Sequence, residues 1–222
     1  MIKRALISVY NKKGLQQFAN RLVDICEDIE IISSGGTAEA LRGSQSVKKY
    51  VVDVSSYTGF PESPGGLVKT LHPKIYAGLL LNNPNIPEYV QYLEENGIKP
   101  IDLVVANLYP FEETVAKPDI TLDKAVEQID IGGHAMIRAG VKGSLLHGTV
   151  TVVVDPNDYA TVIGELERHH KVRPGVKRRL AKKAFDRTTR YDIAIDNYLR
   201  RISETQLDDF PSERIHDSFT FV

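Results

Sequence analysis

The sequence predicts an α/β fold in which a mostly parallel sheet carries helices on both faces. Short apolar runs, typical of buried strands, alternate with stretches whose apolar residues recur every three or four positions, as in amphipathic helices. This alternation favours an open parallel sheet. The 222 residues, 42% of them hydrophobic, can bury a core without disulfides or a structural metal.

The strands are predicted from apolar runs that polar or turn residues interrupt. Residues 2–8 form the first such run, and residues 101–107 form the clearest one. The predicted strands are 2–8, 29–33, 50–54, 101–107 and 149–154.

The helices are predicted from apolar periodicity between the strands. Leu15, Phe18, Leu22 and Cys26 recur at intervals of three or four, which places them on one helix face. The predicted helices are 14–26, a short one at 38–41, 86–96, 122–129, 135–142 and 156–169. Residues 203–222 have weak periodicity, and we expect them to be loosely ordered.

The net charge of −1 conceals an uneven distribution of charge. Residues 168–201 hold 12 Lys and Arg against 3 Asp, whereas the remainder holds 16 basic and 26 acidic residues. Apolar residues at helical spacing cross the basic stretch, so most of its charges are expected on a solvated helix face. An interface with another subunit or with an anionic ligand is the alternative. No nucleic-acid partner is expected, because no stacking aromatics interleave the charges.

Cys26 is the single cysteine, which excludes an intramolecular disulfide framework and a Cys-rich zinc site. Its apolar-periodic setting predicts a buried small side chain. The histidines lack partners at metal-ligand spacing, so no metal site is expected. No apolar run approaches the ~20 residues of a membrane helix. The first residues are too short a run for a signal peptide. We therefore expect no membrane partner and a cytoplasmic location.

Two predicted strands end in loops suited to an anion. Tyr10, Asn11 and Lys12 follow the first strand, and Ser34-Gly35-Gly36-Thr37 follows the second. In such sheets, ligands bind beyond the carboxyl ends of the strands. Small residues let backbone N–H groups approach an anion at a helix start, and Lys12 can supply a countercharge. These features predict a phosphate site, with a plain turn and helix cap as the alternative.

Residues 65–78 combine two lysines, a histidine and a tyrosine with glycines and prolines. The glycines and prolines predict a shaped loop rather than a long regular element. A loop rich in hydrogen-bond donors suits a polar ligand, and an ordinary surface loop is the alternative.

Asp130 stands just before Gly132-Gly133 and the helix predicted at 135–142. By pattern alone, Asp130 either caps that helix or takes part in chemistry. Arg138 and Lys142 are four residues apart, so they share one face of the predicted helix. Both are solvated in the simpler interpretation. In a cleft, like charge and desolvation would make the lysine a usable proton carrier.

Together these segments resemble the inosine monophosphate (IMP) cyclohydrolases, the N-terminal half of bifunctional enzymes that also carry AICAR formyltransferase. The resemblance covers about residues 1–200. The residues that carry it are 8–15, 34–37, 57–62, 68–74, 107–111, 129–133, 138–139 with Lys142, 153–156, 184–185 and 191–192.

The resemblance implies a methylglyoxal-synthase-like α/β fold, a homodimer and no cofactor. The implied reaction closes the ring of 5-formamidoimidazole-4-carboxamide ribotide (FAICAR) to give IMP and water. The cyclohydrolase domain would span residues 1–202, with the core at about 1–145, a tail at 203–222 and no formyltransferase domain. We therefore expect either a stand-alone enzyme, supplied by a separate formylating protein, or a truncated bifunctional one.

The resemblance also implies roles for individual residues. Lys142 matches a proton-shuttling lysine, and Lys69 and Thr70 match residues at the reacting end. Tyr109 and Asp130 match the pair that positions the base and the carboxamide. The implied substrate-binding residues are Tyr10, Asn11, Lys12, Ser34, Gly35, Gly36, Thr37, Leu67, Val68, Asn107, Ile131 and Arg138.

Four positions depart from the common pattern of that family. Leu67 stands where arginine is frequent, and Tyr10 where serine is frequent. Tyr76 stands where histidine is frequent, and Gly143 where asparagine is frequent. These departures bear on ligand affinity and leave the proposed Lys–Asp–Tyr group in place.

Two other functions fit the same fold. A ligand-sensing module, similar to the regulatory domain of carbamoyl-phosphate synthetase, would need the phosphate site but not the segments around Lys69 and Lys142. A methylglyoxal synthase would rely on catalytic carboxylates, but this chain is longer than that enzyme and its motifs match the cyclohydrolase.

Overall fold

A computed structural model describes residues 1–63, 68–117 and 120–203. Its sheet has the strand order β3-β2-β1-β4-β5, and every pair is parallel. The strands are β1 (Arg4–Val9), β2 (Glu30–Ser33), β3 (Val51–Asp53), β4 (Leu103–Asn107) and β5 (Thr151–Val153). The predicted α/β class and all five predicted strands are confirmed, with shorter bounds at most strand ends.

Helices connect the strands and cover both faces of the sheet. They are α1 (Leu15–Ile25), α2 (Gly35–Arg42), α3 (Val54–Thr58), α4 (Pro73–Leu80), α5 (Pro87–Glu95), α6 (Phe111–Val115), α7 (Leu122–Glu127), α8 (Gly132–His147), α9 (Tyr159–His169) and α10 (Pro174–Leu199). Two 3-10 turns, Lys48–Tyr50 and Pro156–Asp158, complete the described elements.

Side-chain alternation along the strands divides the interior into two cores. In β1, Ala5, Ile7 and Val9 join the core that contains α1 and α9, whereas Leu6 joins the core that contains α4 and α8. Successive strand residues point to opposite faces, so β1, β2, β4 and β5 each supply both cores. α10 passes along β5 and contributes to both cores as well.

The apolar face predicted in the basic stretch is confirmed as the buried side of α10. Leu180, Ala184, Thr188 and Tyr191 are buried there. Several basic side chains off this face have acidic or carbonyl partners: Lys183 contacts Asp155 and Asp158, Arg187 contacts Glu112, and Lys177 donates to the carbonyls of Gly148 and Thr149. Cys26 is buried, as predicted.

The prediction of a loop throughout residues 65–78 is wrong at its end, where α4 begins at Pro73. Proline fits the first turn of a helix because the N–H that it lacks would have no partner there. His72 caps the same turn, since its Nδ1 accepts a hydrogen bond from the Lys74 N–H at 3.2 Å. The short helices α3 and α6 were also not predicted.

Two helices that carry site residues are longer than predicted. α2 begins at Gly35 rather than at residue 38, and α8 extends from Gly132 to His147 rather than over 135–142. Both glycine pairs therefore lie in the first turns of helices. Within the described ranges, no helix is long and apolar enough to cross a membrane. Of the predicted tail 203–222, all but Ser203 lies outside the described residues.

Candidate functional site

The carboxyl ends of β2, β1 and β4 lie side by side, and side chains connect the loops that follow them. The Thr37 hydroxyl donates to the Val9 carbonyl at 3.0 Å and accepts from the Val9 N–H at 3.1 Å. The Asn107 side chain pairs with the backbone of Asn11, at 2.8 Å to its N–H and 3.0 Å to its carbonyl. These bonds fix the loop after β1 between its two neighbours.

The start of α2 combines several features that favour an anion. Helix N-termini expose free backbone N–H groups and favour negative charge. Gly35 adopts a left-handed φ of +51°, which few other residues tolerate. Ser34, the N-cap, is buried, and its hydroxyl finds no hydrogen-bond partner among the described residues.

Two ammonium groups lie against this helix start. The Lys69 Nζ is 3.2 Å from the position that a Cβ would occupy on Gly35. The Lys12 Nζ is 3.7 Å from the corresponding position on Gly36. Two cations beside free N–H groups suit a phosphate, and the phosphate site stays a prediction.

Asp130 lies at the N-terminus of α8, close to Lys69. Its Oδ1 accepts a hydrogen bond from the Gly133 N–H at 2.7 Å, so Asp130 does cap the helix. Burial raises the pKa of Asp130, although the Gly133 N–H and the charges of His134 and Lys69 act in the opposite direction. A half-buried carboxylate with a raised pKa is a better proton acceptor than an exposed one, so the cap is compatible with the predicted chemical role, which stays a prediction.

Two tyrosines, Tyr76 and Tyr109, lie close enough to Asp130 for its charge to affect their pKa values. Tyr109 packs against Tyr10, with ring centroids 5.1 Å apart. Burial and the negative charge of Asp130 raise the pKa of Tyr109, and the same causes raise the pKa of Tyr76 to about 12. Both phenols therefore stay protonated near neutral pH and can donate hydrogen bonds. The Tyr76 hydroxyl is buried with no partner among the described residues.

Thr70 joins the loop before α4 to the start of α8. Its Oγ1 is 2.7 Å from the position that a Cβ would occupy on Gly132, so a larger residue there would displace Thr70. Thr70 is buried, and neighbouring Lys69 lies 3.7 Å from Glu62. We call the residues gathered at this edge the strand-end cluster: Tyr10, Asn11, Lys12, Ser34, Gly35, Gly36, Thr37, Lys69, Thr70, Asn107, Tyr109 and Asp130.

A groove of about 960 Å³ begins at Asp130 and runs between α8 and α10. We call it the α8–α10 groove. Its lining is mostly apolar, and it includes Tyr76, Arg138 and Lys142. The Arg138 guanidinium carbon lies 5.2 Å from the Phe185 ring centroid.

The Lys142 side chain is exposed on α8. Lys142 follows Gly132 by ten residues in one continuous helix. At 1.5 Å per residue, the two Cα atoms are about 15 Å apart along the axis. The structure therefore brings together Lys69, Thr70, Tyr109 and Asp130, and it places Lys142 farther along the α8–α10 groove.

Three other predicted site residues lie at the margin or outside. Val68 and Ile131 are 47% and 59% exposed, so their side chains are free to meet a ligand. Leu67 lies outside the described residues. Within the described residues, no group of three His, Cys, Asp or Glu side chains could hold a metal ion.

Tyr191 is the contact that sequence reasoning missed. Its hydroxyl bonds to the backbone of residues 128 and 130 from α10. In the sequence, Tyr191 is an apolar position on a helix face and one of the residues that carry the resemblance, but neither signal indicates a partner 61 residues away. His134 and Asp192, which pair at 3.0 Å, were missed for the same reason.

Comparisons with known proteins agree with the α/β fold. Residues 14–135 match the family model of the MGS-like domain, and residues 146–220 match the model named AICARFT/IMPCHase bienzyme. The solved structure titled "Crystal structure of ForH" superposes with a TM-score of 0.72 at 26% identity, covering 90% of this chain and 100% of that one.

Curated relatives extend the match along the chain. The bifunctional purine biosynthesis protein PurH of Thermoanaerobacter sp. (strain X514) is 49% identical over 199 residues. The protein of the same name from Bacillus cereus (strain ATCC 10987 / NRS 248) is 48% identical over 201 residues. Each match covers 90% of this chain and 37% of the relative. Since the MGS-like model matches more than half of its residues, the chain belongs to the family of MGS-like domains.

Proposed function

We propose that the chain is an IMP cyclohydrolase, which closes the ring of FAICAR to IMP with loss of water in purine biosynthesis. The observation that carries the proposal is the position of Asp130, a half-buried carboxylate beside Lys69 at the sheet edge where α2 begins. The similarity to proteins named PurH supports the same reaction class.

The start of α2 would hold the 5′-phosphate of the ribotide. The N–H groups of the first turn, the Lys12 ammonium and the unpartnered Ser34 hydroxyl all favour an anion there. Thr37 contributes its backbone N–H in this proposal, because its hydroxyl already bonds to Val9. Asn107 acts through Asn11, whose backbone it holds.

Ring closure needs a base and an acid but no change in oxidation state. The carboxamide nitrogen bonds to the formyl carbon and loses a proton, and the formyl oxygen gains one to become a hydroxyl. That hydroxyl then leaves with a proton from a ring nitrogen, as water. Asp130 suits the role of base, since its raised pKa strengthens it as a proton acceptor.

Donors near Asp130 would stabilise the oxygen that becomes negative during attack. The Lys69 ammonium supplies positive charge, and Thr70 and Tyr109 supply hydroxyl donors. Both reacting groups belong to one molecule, so holding them in a near-attack arrangement accounts for much of the rate in this proposal.

Lys142 keeps the role of proton carrier only as a prediction from the resemblance, because about 15 Å of helix separates it from Gly132. Lys142→Ala tests this role, with Lys182→Ala on α10 as the matched control. Turnover equal to that of the control in a folded variant would remove Lys142 from the reaction.

Exposed apolar side chains along α8 and α10 support the expected homodimer. Leu145 and Leu146 are each 60% exposed, Phe185 is 44% exposed and Ile193 is 53% exposed. We propose this face as the subunit contact, because contiguous exposed apolar patches mark interfaces. Sedimentation of the wild type should give twice the mass of one chain, and sedimentation of the Leu145→Lys variant should give the mass of one chain.

A separate formylating protein would supply FAICAR in this proposal.

The experiment that tests the proposed function is an absorbance assay of IMP formation by the purified chain supplied with FAICAR. We expect turnover by the wild type and a loss of about 100-fold or more in Asp130→Asn. Asp28→Asn, at an exposed position, is the matched control. IMP binding without turnover would contradict the proposal and favour a ligand-sensing module.

A further inference from the structure

The Tyr191 hydroxyl joins α10 to the segment between α7 and α8. It accepts a hydrogen bond from the Asp130 N–H at 2.8 Å and donates one to the Gln128 carbonyl at 2.6 Å. The side chain is buried, and its ring packs edge-on against Phe111 with centroids 6.0 Å apart. One hydroxyl therefore satisfies two backbone groups on either side of Ile129.

These two bonds fix the backbone at the residue whose carboxylate is proposed to react. Asp130 precedes the first residue of α8, so no helical ladder holds its N–H. A partly buried N–H without a partner destabilises the fold, and the Tyr191 hydroxyl supplies that partner. The direction of the Asp130 side chain follows from the backbone that Tyr191 holds.

The carboxylate of Asp130 is held from the other side by α8. The Gly133 N–H donates to its Oδ1 at 2.7 Å, and a Cβ on Gly133 would stand 2.5 Å from its Oδ2. The next residue of α10, Asp192, contacts the His134 ring at 3.0 Å. α10 thus touches the chain both before and after the Asp130 carboxylate.

We propose that Tyr191 is a positioning residue, whose hydroxyl holds the Asp130 backbone so that the carboxylate faces the strand-end cluster. This inference rests on the proposed function. Displacement of a reacting group by about 1 Å can cost about 100-fold in rate, so a fixed backbone at this residue has a direct kinetic consequence.

The test compares Tyr191→Phe with Tyr198→Phe. Both tyrosines lie on α10 and pack edge-on against Phe111, but the Tyr198 hydroxyl makes no hydrogen bond within the described residues. The kcat and KM for FAICAR are measured for each variant, and calorimetric titration with IMP counts the competent sites. We expect Tyr191→Phe to lower kcat per competent site about tenfold or more, with KM changed less than about threefold. Tyr198→Phe should match the wild type.

Equal kcat in the two variants, with an active wild type, would overturn the positioning role and leave the proposed function intact. A wild type without turnover would overturn both. If Tyr191→Phe lowers the number of competent sites enough to account for all the lost activity, Tyr191 has only a structural role. That result would also overturn the positioning role. In the wild type, the Asp130 amide hydrogen should exchange slowly with deuterium. Rapid exchange would contradict the hydrogen bond from this amide to the Tyr191 hydroxyl.

Discussion

The Lys69 ammonium lies 3.2 Å from the point where a Cβ would stand on Gly35. This proximity joins the loop before α4 to the start of α2, although the two are more than thirty residues apart in the sequence. The same ammonium is close enough to Asp130 to oppose the rise in the pKa of that carboxyl. Lys69 is thus the charge shared by the proposed phosphate site and the proposed reacting end.

Gly35→Ala should weaken IMP binding about tenfold or more, because the added methyl displaces Lys69 and strains the helix start. Gly59→Ala is the matched control, since Gly59 has a φ of +74° and open space around it. Backbone strain should cost each variant about 1 kcal/mol in the free energy of unfolding. Calorimetric titration measures the IMP affinity of each variant. Equal affinity in the two variants would contradict the role of the Lys69 contact.

Lys12→Gln should weaken IMP binding about tenfold, whereas Lys13→Gln should have little effect. Lys12 lies against Gly36, and removal of its charge takes away a phosphate partner. Inosine, which has no phosphate, should bind both variants and the wild type equally. A similar loss of inosine and IMP affinity in Lys12→Gln would place Lys12 away from the phosphate.

Asp130→Asn should raise the melting temperature at pH 7 while removing activity. Burial raises the pKa of the folded Asp130 carboxyl. A group whose folded pKa is raised contributes stability that is present below its unfolded pKa and lost as pH rises through the folded pKa. The uncharged asparagine avoids that loss. Asp130→Asn should therefore melt at a higher temperature than the wild type at pH 7, and the difference should vanish near pH 3. Melting curves at both pH values check this, with Asp28→Asn as the control. A lower melting temperature for Asp130→Asn at pH 7 would contradict the burial argument.

Gly143→Ala should destabilise the fold by about 2 kcal/mol, because α8 packs directly on α4 at this residue. The added Cβ would collide with the Leu79 carbonyl oxygen and stand 3.1 Å from Val150 Cγ2. Gly175→Ala, in the first turn of α10 with nothing within 4 Å, should instead stabilise by up to about 1 kcal/mol. Urea unfolding measures both, and equal stability of the two variants would show that α4 and α8 separate at little cost.

The strands and the amphipathic helices could be predicted from the sequence because their signals are local. α4 could not be predicted, because Pro73 by itself indicates an interruption of regular structure. It becomes a favourable first-turn residue only when His72 caps the turn. The distance from Lys142 to Asp130 depends on where α8 begins. If the helix started at residue 135, the residues before it could fold back along the helix. A start at Gly132 instead fixes the axial distance between Gly132 and Lys142. The bond from Tyr191 to Asp130 spans 61 residues and has no sequence pattern.

A crystal structure of the chain with IMP would give the sharpest test of the proposed site. The phosphate should lie within hydrogen-bond distance of the Gly36 and Thr37 N–H groups and the Lys12 ammonium. The purine ring should lie beside Asp130, Lys69 and Thr70. IMP bound along the α8–α10 groove, with an empty start of α2, would contradict the proposed site.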